Sequence, residues 1–412
     1  MARDPHLKIV FLADVSAARV IGGAERVLAE EARGLARRGH RVTVLCRAPG
    51  PAPTAEEELA PGLREIRCPF APRRPHRLLS ATWPAVRRTL SRLRRHGGVD
   101  CLDIHQPIAA FGAAGVAFPE LPAVYTCHSL AHEEYLSRNR KPAMRRVQAG
   151  IRRLIERRVM RSCRRVVTLS RYTAEKAMRA HGIPAERIEF IPGGVDPERF
   201  RPALDREGLR RRLGLEPGRR LLLTVRNLVP RMGLENLIAA MADIAPGVPE
   251  AVLWIGGEGP LREALEARTQ ALGLERRVRF LGFVPEETLP ELYAAADLFV
   301  LPSLDLEGFG MVTLEALASG LPVLATPVGG SVEILSPLDR GLLLEGTSVE
   351  ALGRGVLSFL HRLAADPQAG RRLSAACRRH AVGHYSWERH LDRLEALFQT
   401  IASPFLQATR TG

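Results

Sequence analysis

Short apolar runs of strand length alternate with longer segments of helical period along most of the chain, and the alternation occurs twice. In the first half, residues 9–13, 42–46, 101–105, 124–127 and 166–170 read as strands, with helices at 25–39, 108–118 and 144–163. The second half repeats the pattern, with strands at 221–225, 251–255, 278–281, 298–301 and 323–325 and helices at 233–241, 261–272, 288–295 and 311–318. Strands joined through helices run parallel, because each crossover returns the chain to the same end of the sheet. The expected class is therefore α/β, with two Rossmann-like, doubly wound domains. The Gly- and Pro-rich stretch Ile191-Pro-Gly-Gly-Val-Asp-Pro-Glu-Arg-Phe-Arg-Pro202 reads as the joint between them. Residues 386–402 read as a terminal amphipathic helix opened by a Ser cap. The expected divisions are 1–195, 196–380 and 381–412. In open α/β sheets ligands bind at the carboxyl ends of strands, so two facing domains would place a cleft between them.

At 412 residues and 46% apolar, the chain can bury substantial cores. No apolar run reaches the ~18–20 residues of a membrane span. The nearest, residues 108–118, is Gly-interrupted and reads as a buried helix. Residues 7–13 lack the long apolar core and cleavage site of a signal peptide and read as a first strand, so a cytoplasmic location is expected. Cys46, Cys68, Cys101, Cys127, Cys163 and Cys377 are widely separated, with no Cys-x-x-Cys and no zinc spacing, which suits small buried apolar residues. Asp-x-Asp patterns, which could hold a divalent ion beside a diphosphate, are absent too, and no metal is expected.

The formal charge of +15 is uneven. Residues 1–200 hold 36 Lys and Arg against 20 Asp and Glu, whereas residues 201–412 hold 24 against 25. Arginines cluster at Arg87-Arg88 and Arg92 to Arg95, and again between Arg138 and Arg165. Through that second run Val147, Ile151, Leu154 and Ile155 keep a helical period, so the arginines are expected to decorate a helix whose apolar stripe lies in the core. Such a face suits an anionic membrane surface or an acidic acceptor; a solvated face from an Arg-rich composition is the plain alternative. Nucleic acid is not expected, because no aromatic-interleaved or zinc-finger pattern accompanies the arginines.

Residues 302–330 concentrate the chemistry. A buried-type strand ends at Pro302, Glu307-Gly-Phe-Gly310 forms a turn, and a helix begins near Gly310 and stops at Gly320. The free N–H groups and positive dipole end of that helix favour an anion by roughly 0.3–1 kcal/mol at exposed positions. Glu315 lies about one and a half turns in, within reach of a ribose diol. An ordinary strand-turn-helix unit with two solvated glutamates would show the same spacing. Other glycine-rich turns also follow strands: Ile21-Gly22-Gly23-Ala-Glu25 and Gly256-Gly-Glu-Gly-Pro260. His128 follows the strand at 124–127, where a structural histidine is the plainer reading.

Together these residues resemble the retaining glycosyltransferases of family 4, which have the GT-B fold. Glu307-Gly-Phe-Gly-x4-Glu315 matches the family's Glu-x7-Glu motif, followed by Ala-x-Gly-x-Pro-Val and Val-Gly-Gly. Gly22-Gly23-Ala-Glu25, Thr126-Cys-His128-Ser, Ile191-Pro-Gly-Gly-Val-Asp-Pro-Glu-Arg-Phe200, Phe280-Leu-Gly-Phe-Val284 and Tyr385-Ser-Trp-Glu388 extend the likeness over nearly the whole chain. The resemblance implies an acceptor-side N-domain, a nucleotide-sugar C-domain, and a last helix crossing back to the N-domain. It implies hexose transfer from a nucleoside diphosphate sugar to a glycan, glycolipid or lipid-linked acceptor, with retention, no cofactor and no metal. Glu307 and His128 would be catalytic, Glu307 facing the cationic sugar and His128 contacting the donor hexose. Gly308, Phe309, Gly310, Met311 and Val312 would hold sugar hydroxyls and phosphate through backbone groups, and Glu315 the ribose. Gly22 and Gly23 would let backbone approach the diphosphate, while Phe283 and Val284 would offer main-chain groups to the base.

One segment departs from the family. Its usual Gly-Arg-Leu-x-x-x-Lys-Gly places two cations on the diphosphate, but Val225-Arg-Asn-Leu-Val-Pro-Arg-Met-Gly233 has Asn227 and Met232 there. Arg226 and Arg231 flank those positions and are expected to replace the cations. A weakened paralogue acting as a binding protein, or a sugar-nucleotide epimerase of the same fold, are the alternatives.

Overall fold

A computed structural model describes residues 6–18, 22–48, 55–68, 75–96, 98–110, 118–138 and 142–411. The chain divides into two compact units, Met1–Pro192 with Trp387–Gly412, and Gly193–Ser386.

The first unit is built on eight strands: β1 (Lys8–Leu12), β2 (Arg41–Arg47), β3 (Ala55–Ala60), β4 (Leu63–Cys68), β5 (Cys101–Ile104), β6 (Ala123–Cys127), β7 (Arg165–Thr168) and β8 (Ile188–Phe190). Their order is β3-β4-β2-β1-β5-β6-β7-β8, parallel throughout except that β3 runs antiparallel to β4. Alternate residues of β1 feed two cores: Ile9 and Phe11 on one face, Val10 and Leu12 on the other. On the Ile9 face lie Leu28, Ala32 and Leu35 of the helix Gly23–Arg37 with Leu391, Leu394 and Phe398 of the terminal helix Trp387–Thr411. These two helices close tightly because position 34 is glycine: a Cβ there would stand 2.3 Å from Leu391 Cδ1. Arg38 fastens the contact by pairing with Glu388, Asp392 and Glu395 at 2.6–2.9 Å.

The second unit carries β9 (Arg220–Val225), β10 (Ala251–Gly256), β11 (Val278–Gly282), β12 (Leu298–Leu301) and β13 (Val323–Ala325), all parallel in the order β11-β10-β9-β12-β13. β9 is the central strand, and Leu221, Leu222 and Leu223 are fully buried. A continuous apolar run, rather than an alternating one, is what burial on both faces demands.

Three features differ from the sequence expectation. The hairpin β3–β4 was not expected, since Glu56, Glu57 and Glu58 form a polar edge strand with no apolar signal. The helix expected at 108–118 is seen as Pro107–Ala110, and residues 111–117 lie outside the described residues. The third concerns the helix Pro142–Ser162, whose expected core stripe faces outward: Val147, Ile151 and Leu154 are 55%, 49% and 68% exposed, as is Met144 at 59%. Only Ile155 of the expected four is buried, beside Ala149, Glu156, Val159 and Met160. The helix thus has two apolar stripes, and periodicity alone does not tell which of them is covered.

Candidate active site

In the second unit, the loops after β9, β10, β11, β12 and β13 gather at the carboxyl ends of the strands. The Glu307 turn is held from behind by Gly329-Gly330: Gly330 N–H donates to the Glu307 carbonyl at 2.9 Å, and a Cβ on Gly329 would lie 2.0 Å from that same oxygen. Leu306, just before Glu307, has φ 56°, a strained value for a leucine.

Glu307 and Glu315 are 7% and 1% exposed, so the alternative of two solvated glutamates does not hold. Glu307 accepts from Arg226 Nη2 at 2.5 Å and from Ser303 Oγ at 2.8 Å. Burial would push the Glu307 carboxyl up, but the Arg226 guanidinium, helped by Ser303 and Arg231, outweighs it and holds the carboxyl below its usual range. Arg226 also reaches Ser303 Oγ at 3.0 Å and lies against the Met232 sulfur at 2.7 Å. Its cation therefore stands beside Met232, one of the two positions at which the family pattern places a cation. Arg231 donates from Nη1 to the Leu306 carbonyl at 3.0 Å, and its own carbonyl accepts from Leu304 N–H, so it braces the strained turn. Gly308, Phe309 and Gly310 complete the turn, with Gly310 in the left-handed region at φ 95°. Met311 and Val312 form the first turn of the helix Met311–Ala318. Inside that helix Glu315 accepts from Tyr293 Oη at 3.0 Å. Phe283 and Val284 follow β11, Phe283 being 48% exposed.

In the first unit, Gly22 and Gly23 open the helix Gly23–Arg37, and Gly22 accepts from Arg26 N–H at 3.0 Å; Ile21 lies outside the described residues. His128 follows β6 and belongs to a cluster no motif announced. Its Nε2 lies 2.9 Å from His105 Nδ1. The other nitrogen of His105 lies 3.2 Å from Glu31 Oε2 and 3.5 Å from Asp103 Oδ2. Glu31 also meets His390 Nε2 at 2.8 Å, and His390 Nδ1 faces the Pro192 carbonyl at 2.8 Å. Glu31, Asp103, His105 and His390 are all buried. Burial alone would lower the His105 imidazole, but Asp103 and Glu31 raise it to about 10. Burial would raise Glu31, which His105 and His390 bring down to about 2. Asp103 is pushed up by burial against the pull of His105. His128 is driven down to about 3, by enclosure and then by the His105 charge.

The sequence held one signal for this cluster. Asp103 and His105 sit two apart on a strand end, hence on one face, and Glu31 falls within a helix face otherwise filled by Val27, Leu28 and Leu35. Glu31, Asp103 and His105 place ligand-type atoms within 4.8 Å of one another, as do His132, Glu156 and His181. In the second group Glu156 is already engaged, accepting from Tyr125 Oη and from Ala131 N–H at the start of the helix Ala131–Arg138. All six cysteines are buried thiols, as their spacing suggested.

Residues 21–199 match the family described as Glycosyltransferase Family 4, and residues 205–373 match Glycosyl transferases group 1. The D-inositol 3-phosphate glycosyltransferase of Rhodococcus opacus is 30% identical over 386 residues, 90% of this chain and 84% of that protein. The GDP-mannose-dependent alpha-(1-6)-phosphatidylinositol monomannoside mannosyltransferase of Mycolicibacterium smegmatis is 36% identical over 239 residues, 56% of this chain and 61% of that protein. Among solved structures, sucrose-phosphate synthase from Thermosynechococcus elongatus superposes with a TM-score of 0.80 at 24% identity, covering 96% of this chain and all of that one. Anabaena HepE in complex with UDP-glucose gives 0.75 at 22% identity, with 96% and 100% covered.

Proposed function

Because the chain belongs to glycosyltransferase family 4 and has the GT-B fold, we propose that it transfers a hexosyl group from a nucleoside diphosphate sugar to a glycan, glycolipid or lipid-linked acceptor, with retention and without a metal. The observation that carries the reading is the buried Arg226–Glu307 pair at the carboxyl edge of the second sheet, beside the N-terminus of the helix Met311–Ala318. As the anomeric C–O bond breaks, positive charge grows on the sugar and negative charge on the leaving diphosphate. A site for this reaction therefore needs a fixed anion facing the sugar and fixed positive groups facing the phosphates. Glu307, kept ionised by Arg226, serves as the anion. Arg226, Arg231 and the N–H groups of Gly308 to Val312 serve the phosphates and sugar hydroxyls; Glu315 serves the ribose, and the backbone of Phe283 and Val284 the base. In the first unit, Gly22, Gly23 and His128 are the residues that the family resemblance assigns to donor and acceptor contacts. The acceptor hydroxyl loses its proton to the departing phosphate on the same face, so no strong base is required.

GDP-mannose, named for the mycobacterial relative, is the first donor to test. A thermal-shift screen of nucleoside diphosphates and their sugars should raise the melting temperature for one base, since a ligand bound only by the folded state stabilises it. Transfer in the presence of a chelator, with the product anomer read by NMR, then tests retention and metal independence. An isomeric nucleotide sugar with no free nucleoside diphosphate would identify an epimerase instead, and no stabilisation by any nucleotide would leave only a binding protein.

The outward face of the helix Pro142–Ser162 supports a peripheral position on the cytoplasmic side of an anionic membrane. Met144, Val147, Ile151 and Leu154 form an exposed apolar stripe, flanked by the exposed Arg146, Arg153, Arg157, Arg158 and Arg161. The helix's one acid, Glu156, is buried, so nothing on that face repels a lipid phosphate. Each arginine near such a surface contributes about 1 kcal/mol. Among the described residues no helix is long and apolar enough to cross a membrane. Flotation with anionic vesicles at physiological salt should carry the protein, and Val147→Glu with Leu154→Glu should release it; equal and negligible binding to anionic and neutral vesicles would remove the membrane from the reading.

A further inference from the structure

The Glu31, His105 and His390 side chains lie behind His128, and no step of the proposed transfer uses them. We propose that they are positioning residues which hold His128 as a neutral imidazole with its proton on Nδ1. The inference rests on the placement of His128 at the donor sugar, and goes beyond it by assigning which atom of His128 donates.

The charges around His105 favour one placement of the protons. His105 Nε2 lies 3.2 Å from Glu31 and 3.5 Å from Asp103, within ion-pair distance though outside hydrogen-bond geometry, and two carboxylates so close favour a proton on that nitrogen. A single proton fits between His105 Nδ1 and His128 Nε2 at 2.9 Å. The carboxylates stabilise the cationic form of His105, so His105 is the donor there and His128 Nε2 the acceptor. A neutral imidazole that accepts on Nε2 carries its hydrogen on Nδ1. The His128 Nδ1 atom is enclosed and has no hydrogen-bond partner among the described residues, so its N–H stays unsatisfied until a hydroxyl of a ligand reaches it. Held in this state His128 is a fixed donor and not a general base, consistent with passage of the acceptor proton to the leaving phosphate.

Glu31 is in turn anchored. Both nitrogens of His390 face acceptors, Glu31 Oε1 and the Pro192 carbonyl, so both donate. His390 therefore ties Glu31 to the last residue of the first unit's main segment and to the terminal helix at once. The charged groups acting on His128 are His105 from the end of β5, Glu31 from the helix Gly23–Arg37 and His390 from the terminal helix.

The test combines a spectrum with kinetics. In full-length protein labelled with 15N-histidine, the His128 ring, assigned by difference with His128→Asn, should show a protonated Nδ1 and bare Nε2 with no titration between pH 5 and 9. Glu31→Gln should move His128 toward the other tautomer or a cation, lower kcat at least ~10-fold with KM for the donor little changed, and add an acid limb to the kcat profile near the ordinary histidine value of about 6.5. Glu31→Asp should restore part of both signals. If Glu31→Gln does not fold, His390→Gln offers the same shift in milder form, and the wild-type spectrum, assigned with His128→Asn, still reads the tautomer. A wild-type His128 protonated on Nε2 or titrating near neutrality would overturn the proposal, as would an unchanged spectrum and pH profile in folded Glu31→Gln. The predicted tautomer together with full activity in His128→Asn would instead sink the placement of His128 at the donor while leaving the hydrogen-bond assignment standing.

Discussion

The two units each bury a charged cluster at the carboxyl ends of their strands, but they assemble it differently. In the second unit the partners come from neighbouring loops: Arg226 follows β9, while Ser303 and Glu307 lie four residues apart after β12. In the first, the partners span Glu31 to His390, 359 positions apart, and three of the five are imidazoles. A guanidinium–carboxylate pair keeps its charges at any ordinary pH, whereas a network of imidazoles and carboxylates depends on where its protons sit. The contrast is between a charge fixed by a local pair in the second unit and a charge set by proton placement in the first.

The sharpest way to break this contrast is Arg226→Ala. It strands Glu307 in a buried site, and loss of one partner from such a pair should cost about 3–5 kcal/mol in stability, measured by urea unfolding. A loss under about 1 kcal/mol would mean that the pair is wet and the charge not fixed. Glu307→Gln keeps the shape and removes the anion; kcat/KM should fall about 10²–10³-fold, or ~2.7–4 kcal/mol, in a steady-state transfer assay. Next comes Arg231→Ala, expected to lower kcat/KM about 10-fold, ~1.4 kcal/mol. Unchanged kinetics there would confine Arg231 to bracing the Leu306 carbonyl.

The smallest effect belongs to the first unit and is read against pH. His105 is raised from 6.5 to about 10, so its contribution to stability is complete below about pH 6.5 and disappears as pH climbs through 10. Glu31, lowered to about 2, contributes above its unfolded value of 4.5 and loses its contribution as pH falls toward 2. Melting temperature should therefore decline from pH 6.5 to 10, and His105→Gln should flatten that decline by a few degrees. An equal slope in both proteins would show that His105 is not held protonated in the folded state.

Much of the fold was legible because it is periodic. Strands such as Val323–Ala325 and helices such as Met311–Ala318 appear where the apolar runs and glycine stops put them. Periodicity says nothing about what covers a stripe, which is why Val147, Ile151 and Leu154 were read as core. The Glu307 turn was legible because its parts are contiguous. Its partner was not, since nothing in Val225-Arg-Asn shows that Arg226 turns toward a residue 81 positions on. Tyr293, which donates to Glu315, and the whole Glu31–His105–His390 chain escaped for the same reason: each is a contact between elements, and one sequence carries no record of distance.

The terminal helix returns to the first unit, and this sets the order in which the protein can be made. Leu391, Leu394, Phe398 and Ile401 belong to a core whose other half begins at Leu7, so of the two units the one begun earlier is finished later. Residues 193–386 contain every strand of their own sheet and can close while still attached. Domains otherwise tend to fold from the N-terminus onward during synthesis. Here the nascent chain must hold an incomplete apolar face until residues 391–402 have been made, a long interval in which a chaperone has something to bind.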